Sequence, residues 1–348
     1  MQLHRALLHG VGPFELTTFP FADDEGKPRK VTVVHGGGGV GKTTLLAAIG
    51  STRPGHAVAQ MARAKEEADP AYVACDWVLG LDDPERPHVL RVASPNARVA
   101  ASEEEELLRR REQALFDRVA GEGGFAFLSI GSTRWFSRQP IVLSAPARST
   151  ARYDVRATVA GEDASRSDLA RETKQALAYA AISSALSVEP DPERRFDRLG
   201  DAMSAITHEL CALAGFSYIG LDPHSFEPMF AGSSGRAVSF DALPTRVRHL
   251  AAFAALSVRT LWAAYPDRDP RMAEGVVVID DVDLHQDTAV LTRLVPTLRR
   301  ALPLVQWIVT CTSPVVAASC DVREVLALRR LPERDLVAVF SGPEALTH

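Results

Sequence analysis

Eight consecutive residues constrain this chain more than any others: Gly36-Gly37-Gly38-Gly39-Val40-Gly41-Lys42-Thr43. Four successive glycines are costly in a helix or strand, because glycine loses more backbone freedom on ordering than any other residue. The run is therefore a loop whose shape needs the missing side chains. It fits the pattern G-x-x-x-x-G-K-[ST], in which consecutive backbone N–H groups turn inward around phosphate oxygens without Cβ clashes. The flanks agree. Val31-Thr32-Val33-Val34 precede the loop, a short β-branched run suited to a buried parallel strand. Thr44-Leu45-Leu46-Ala47-Ala48-Ile49 follow it and open a helix whose positive N-terminal end faces the same anion. The backbone from Gly36 to Thr44 is thus expected to hold a nucleoside triphosphate, ATP with Mg²⁺. Lys42 is expected to neutralise β- and γ-phosphate charge, and Thr43 to place its hydroxyl on the Mg²⁺.

Such a site needs a carboxylate behind the water shell of the metal. Val276-Val277-Val278-Ile279-Asp280-Asp281 is the matching segment, four aliphatic residues ending in two acids. Asp280 falls at the C-terminal end of a buried strand, where open α/β sheets place ligands, and is expected to hold Mg²⁺ through water. Asp281 falls where a general base, or a residue orienting the attacking water, is expected. Over two hundred residues separate Lys42 from Asp280. Small GTPases and nucleotide kinases place these elements much closer, and no [NT]KxD motif for guanine occurs.

The 348 residues suffice for one large α/β domain or two ordinary ones. A formal charge of -5 gives no global basic field of the kind that marks many nucleic-acid binders, although a local basic stripe is compatible with it. Cys75, Cys211, Cys311 and Cys320 form no CxxC pair and no zinc spacing, and are expected as reduced thiols. No run reaches the roughly 18–20 apolar residues that span a bilayer. Met1-Gln2-Leu3-His4-Arg5 lacks the apolar core of a signal peptide, so the expected setting is cytoplasmic.

Leu3–Leu8 reads as an edge strand, with Phe14–Phe19 returning beside it after a Gly-Val-Gly-Pro turn. Tyr72–Leu79, Val89–Ala93 and Phe125–Ile130 read as strands. Ser102 with Glu105 forms a capping box for a charged helix, with Glu105–Arg109 and Glu106–Arg110 as its pairs. Helices are expected over Ser165–Ser187, Arg194–Ala214, Thr245–Ala264 and Thr288–Ala301, and strands over Val305–Val309, Val325–Arg329 and Leu336–Phe340. Arg134 with Trp135 could stack on a base, but a packed aromatic is the simpler reading of Trp135.

Several segments together resemble the ABC-type ATPases of the SMC/RecF/OLD branch, and most closely its stand-alone "AAA family ATPase, ABC-like" proteins. Gly10-Val11-Gly12-Pro13-Phe14 resembles their F-G-P-F opening. Gly275–Leu284 resembles G-x-x-L-I-D-E-I-D-L, and Val305–Pro314 resembles Q-F-I-V-T-T-H-S-P. The match covers about the first 50 residues and the last 110. It implies one α/β P-loop domain, an ABC-ATPase-like core with a mainly parallel sheet flanked by helices. Residues 1–98 would give an N-terminal antiparallel β layer and the P-loop, 99–235 a mostly helical insertion, and 236–348 the rest of the core. It also implies a homodimer or an ATPase–effector complex, with phage defence or DNA maintenance as settings by analogy.

The departures are as informative. The family signature L-S-x-G falls on Leu243-Pro244-Thr245-Arg246, the catalytic glutamate on Asp281, and the switch histidine on Thr312. A proline and an arginine cannot copy a serine hydroxyl and a close glycine N–H. A carboxylate one methylene shorter shifts by about 1 Å, enough to cost roughly 10²-fold in rate. The resemblance therefore implies a slow or partner-activated ATPase, with a non-hydrolysing switch or scaffold as the alternative and a transporter subunit as a weaker one. Gln139 is a candidate for the family's Mg²⁺-touching glutamine, Arg246 for a charge donor to the γ-phosphate, and His285 for a subunit contact.

Overall fold

The computed structural model describes residues 1–52, 71–78, 89–94, 97, 102–122, 125–138, 140, 141, 143, 145, 168–187, 195–331 and 336–346. In chain order the elements are β1 (Gln2–Val11), β2 (Phe14–Pro20), β3 (Val31–Gly36), α1 (Lys42–Ser51), β4 (Tyr72–Val78), β5 (Val89–Ala93), α2 (Glu103–Glu122) and β6 (Phe127–Ile130). There follow α3 (Ala170–Leu186), α4 (Arg195–Ala212), β7 (Ser217–Leu221), β8 (Pro228–Ala231), β9 (Ala237–Ser239), α5 (Thr245–Ala264) and β10 (Gly275–Ile279). The chain closes with α6 (Thr288–Ala301), β11 (Val305–Cys311), α7 (Pro314–Ala318), β12 (Val325–Leu331) and β13 (Leu336–Ser341).

A strand that is apolar on both faces must lie between two layers. β3, β10 and β11 meet that condition, and they form the middle of a six-stranded sheet in the order β13-β12-β3-β11-β10-β6. Its strands are parallel except for β13, which closes one edge antiparallel to β12. Alternate side chains go to opposite faces. Val31, Val33, Val277, Ile279, Trp307 and Val309 pack with α3, α4, α5 and α6. Val34, Val276, Val278 and Ile308 pack with α1 and a four-stranded antiparallel sheet in the order β2-β1-β4-β5. A third small sheet, β7-β8-β9, flanks the helical layer. The fold is thus the α/β P-loop class, with the antiparallel β layer that the sequence led us to expect.

Four details differ from expectation. β1 is no edge strand, because β4 pairs along its free side from Gln2 to His9. In the stretch 99–235, expected to be mostly helical, the strand expected at Phe125–Ile130 is β6 of the main sheet, and the β7–β8 pair was not expected. On α2, Ser102 caps the helix through Glu105 N–H, but both Arg109 and Arg110 converge on Glu106, at 2.6 and 2.8 Å. The expected helix from Ser165 is helical from Ala170, and residues 146–167 lie outside the described set.

One buried cation fixes the approach to α5. The Lys174 ammonium, on α3, bonds Glu227 and Asp241 at 2.9 Å each, tying β7–β9 to the helices just before α5 begins. Burial pushes the Glu227 carboxyl up, with Asp241 adding to the shift. Removing one partner from such a cluster leaves uncompensated charge. Lys174→Met is therefore expected to lower unfolding stability by about 3 kcal/mol, read from the urea midpoint at constant slope.

Candidate nucleoside triphosphate site

β3, β6, β10 and β11 run parallel, so the segments that follow them meet at one edge of the sheet. The glycine loop follows β3, and the β1–β2 turn packs against it. A Cβ on Gly41, whose φ is +93°, would lie 2.6 Å from Pro13 Cγ and 2.7 Å from Phe14 Cζ. One on Gly12 would lie 2.9 Å from Thr44 Cγ2. The Gly-Pro-Phe turn therefore props the loop from behind. Gly37, Gly38 and Gly39 are the reverse case, since a Cβ there meets nothing within 4 Å. That open side is where phosphate would sit. α1 starts at Lys42 from a left-handed Gly41 with no side-chain cap, leaving its first N–H groups for an anion.

Lys42 Nζ donates to Gly36 O at 2.8 Å, Gly37 O at 3.0 Å and Thr312 Oγ1 at 3.3 Å. Phosphate oxygens would compete for an ammonium already aimed into the loop. Thr43 Oγ1 donates to Asp280 Oδ2 at 2.7 Å, across 237 residues of sequence. The other oxygen, Asp280 Oδ1, accepts from Thr310 Oγ1 at 2.6 Å, and Thr310 Oγ1 accepts from Asp281 N at 2.7 Å. Among the described residues no group of three or more His, Cys, Asp or Glu could hold a metal. A divalent ion here would rest on the Thr43 hydroxyl, the Asp280 side and phosphate oxygens. That donor set suits Mg²⁺, which keeps several waters and takes one or two carboxylates.

Asp281 occupies the left-handed region at φ +43°. Its half-buried carboxyl is raised above its ordinary range by burial and by Asp280, against the opposing pull of Lys42. Asp283 Oδ2 accepts from Thr312 N at 3.0 Å and Ser313 N at 2.7 Å, which ties the turn after β10 to the turn after β11. His35 Nε2 stands 3.2 Å from Thr312 O.

The residue whose role the sequence did not reveal here is Arg134. It is buried rather than free to stack on a base, and its partners are all backbone. Nη1 donates to Gly131 O at 2.9 Å and Asp280 O at 2.6 Å, and Nη2 donates to Asp281 O at 2.7 Å. Its guanidinium lies 5.3 Å from the Phe253 ring centroid on α5. Burial brings its pKa down to about 10, while Asp280, Asp281 and Asp283 pull it up. Trp135, read as a packed aromatic, is 45% exposed.

Arg246 and His285 fall outside this cluster. Arg246 Nη1 bonds Asp287 Oδ2 at 2.6 Å within its own chain, and Gln286 Nε2 donates to Arg246 O at 3.2 Å. His285 is exposed at φ +64°, 5.2 Å from the His249 ring. Gln139 lies outside the described residues. The four cysteines are free; burial holds Cys75 up at about 12 and Cys320 at about 11.

No family model and no curated protein matches the chain. Among solved structures it is similar to an Smc head bound to the C-winged helix domain of ScpA, with 17% identity, full coverage of both chains (100% each) and a TM-score of 0.57. It is also similar to an Smc head domain with an extended coiled coil, bound to the C-terminal domain of ScpA derived from Pyrococcus furiosus. There the identity is 17%, the TM-score 0.55, and 98% of this chain and 96% of that one are covered. The SMC-head likeness is one of fold.

Three outcomes follow from these contacts. Gly41→Ala forces a side chain into Pro13 and Phe14 at positive φ, and is expected to lower stability by about 1–3 kcal/mol. Gly38→Ala, with open space around it, should stay within about 1 kcal/mol in the same thermal or urea unfolding series. His249, buried with Nδ1 on Leu284 O at 3.3 Å, is brought from 6.5 down to about 3 by burial and then Arg134. The unfolded chain then binds the proton first, so this group destabilises the fold as pH falls from 6.5 toward about 3. His249→Phe is expected to flatten the pH dependence of the unfolding midpoint across that window.

Proposed function

We propose that this chain is a Mg²⁺-dependent ATP-binding protein of ABC ATPase type that hydrolyses slowly. Its nucleotide state would control pairing with a second copy or with an effector protein. The observation that carries the reading is the contact between the Thr43 hydroxyl and the Asp280 carboxylate at 2.7 Å, beside a lysine aimed into an open glycine loop. The meeting of segments so far apart in sequence supports a metal–triphosphate site there.

In this reading the N–H groups of the loop and of the first turn of α1 bind the phosphates. Lys42 exchanges the carbonyls of Gly36 and Gly37 for phosphate oxygens. Thr43 and Asp280 hold the metal, which when bound neutralises charge on the β- and γ-phosphate oxygens. Asp281, with its raised carboxyl, accepts a proton from water.

Slowness rests on three departures: the signature at Pro244 and Arg246, Thr312, and Asp281, one methylene shorter than the family's glutamate. Thr312 carries no titratable proton where the resembled family has histidine. Pro244 and Arg246 replace the signature serine and glycine. Arg246 is engaged with Asp287, which speaks for a structural role at the start of α5 rather than a charge donor. These same positions favour a second reading, a nucleotide-operated switch with negligible turnover. Phage defence or DNA maintenance is the setting that the family resemblance supports. Among the described residues no helix is long and apolar enough to cross a membrane; what speaks against a transporter subunit is the altered signature at Pro244 and Arg246 and the long stretch between the two halves of the core.

Mg²⁺-dependent ATP turnover and ATP binding, measured together with Lys42→Ala as the blank, test the proposal. Turnover above the blank, of the order of a hundredfold below a fully equipped site, is the expected result. Binding without turnover selects the switch. Loss of both in the unaltered protein removes the ATP reading.

A further inference from the structure

We infer that Arg134 is a positioning residue for the two aspartates, holding the turn after β10 in the conformation that presents Asp281 to the phosphate edge. This rests on the ATPase reading above for its consequence, but not for its geometry. Asp281 sits in a left-handed backbone conformation that non-glycine residues adopt at a cost. A turn of that kind persists when the surrounding structure over-determines it. The Asp281 N–H is fixed by Thr310 Oγ1 at 2.7 Å, and the carbonyls on either side of that turn are fixed by Arg134. The planar fork suits the task, because one guanidinium reaches Asp280 O and Asp281 O simultaneously. Its third bond, to Gly131 O, anchors the fork to the end of β6, the strand paired with β10. The face of the group lies against Phe253, so the anchor also reaches the middle of α5.

The side chain bonds backbone, not the carboxylates. It therefore leaves Asp280 Oδ1 and Oδ2 to Thr310 and Thr43, and acts on the Asp281 carboxyl through space rather than by a hydrogen bond. A residue placed to neutralise these acids would bond their oxygens. One placed to aim them would bond the peptide groups that carry them, as Arg134 does.

The test compares Arg134→Met and Arg134→Lys with the unaltered full-length protein by hydrogen–deuterium exchange without nucleotide, ATP affinity and ATP turnover. For Arg134→Met, exchange across residues 276–284 is expected to accelerate about 10-fold, while residues 42–51 of α1 exchange as before. The turnover number is expected to fall about 10- to 100-fold with ATP affinity within about 3-fold, as misplacement by about 1 Å implies. Arg134→Lys keeps a cation without the fork, and should recover part of the exchange protection. It also serves as the reporter if the methionine variant does not fold. Unchanged exchange across 276–284 overturns the inference, and so does an equal loss of affinity and turnover. Should the unaltered protein show no turnover, the ATPase reading fails by itself and the exchange comparison decides the role of Arg134.

Discussion

The molecule is organised around the buried carboxylate of Asp280. It has no exposure to solvent, and it is tolerated there because each oxygen accepts a short hydrogen bond, from Thr43 on α1 and from Thr310 on β11. These bonds join the start of α1, which follows β3 through the glycine loop, to the ends of β10 and β11; β3, β10 and β11 are the three inner strands of the parallel sheet. A charge in that position is costly unless its partners are held rigidly. The double-sided apolar strands provide that rigidity, so the polar chemistry at the sheet edge depends on the aliphatic packing beneath it. The same packing explains why the layers lie where they do: Val277 and Ile279 face the helices, while Val276 and Val278 face α1 and the antiparallel sheet.

Around this carboxylate the charges are distributed with little duplication. Asp280, Asp281 and Asp283 crowd within one turn, and burial together with Asp280 raises the Asp281 carboxyl. Their partners are of different kinds. Asp283 is satisfied by the backbone N–H groups of Thr312 and Ser313, Asp280 by hydroxyls, and Asp281 stands with a raised carboxyl. Lys42 spans the loop carbonyls and Thr312, which brings the position lacking a histidine into the same network. Arg134 serves the backbone of the turn. An acid-rich site thus keeps two buried cations without locking any acid into an ion pair with them.

The loop and the two aspartates were legible in the sequence because their signals are local and chemically specific: a glycine pattern that few conformations can use, and a β-branched run ending in acids. Most element boundaries were legible for the same reason, as with α5, whose apolar residues continue around all its faces. What was illegible depends on partners far away in the chain. Arg134 recognises carbonyls 146 and 147 residues on, and backbone carbonyls leave no trace in side-chain identity. The interior placement of β1 depends on β4, some seventy positions later, and nothing within β1 announces it. The convergence of Arg109 and Arg110 on Glu106 turns on rotamer geometry, which spacing alone does not select.

The Gly12-Pro13-Phe14 turn behind the loop has a consequence for affinity. A flexible glycine loop would have to be ordered each time a ligand arrived, and the entropy lost would be subtracted from binding. Here Gly41 is hemmed in by Pro13 and Phe14, and Gly12 by Thr44, so the loop takes its shape when the antiparallel sheet folds. The ordering is completed in folding, and the cradle is preorganised. The empty and filled states should then differ little in this region, and the β1–β2 hairpin, which packs behind the loop, belongs to the determinants of how tightly a phosphate is held.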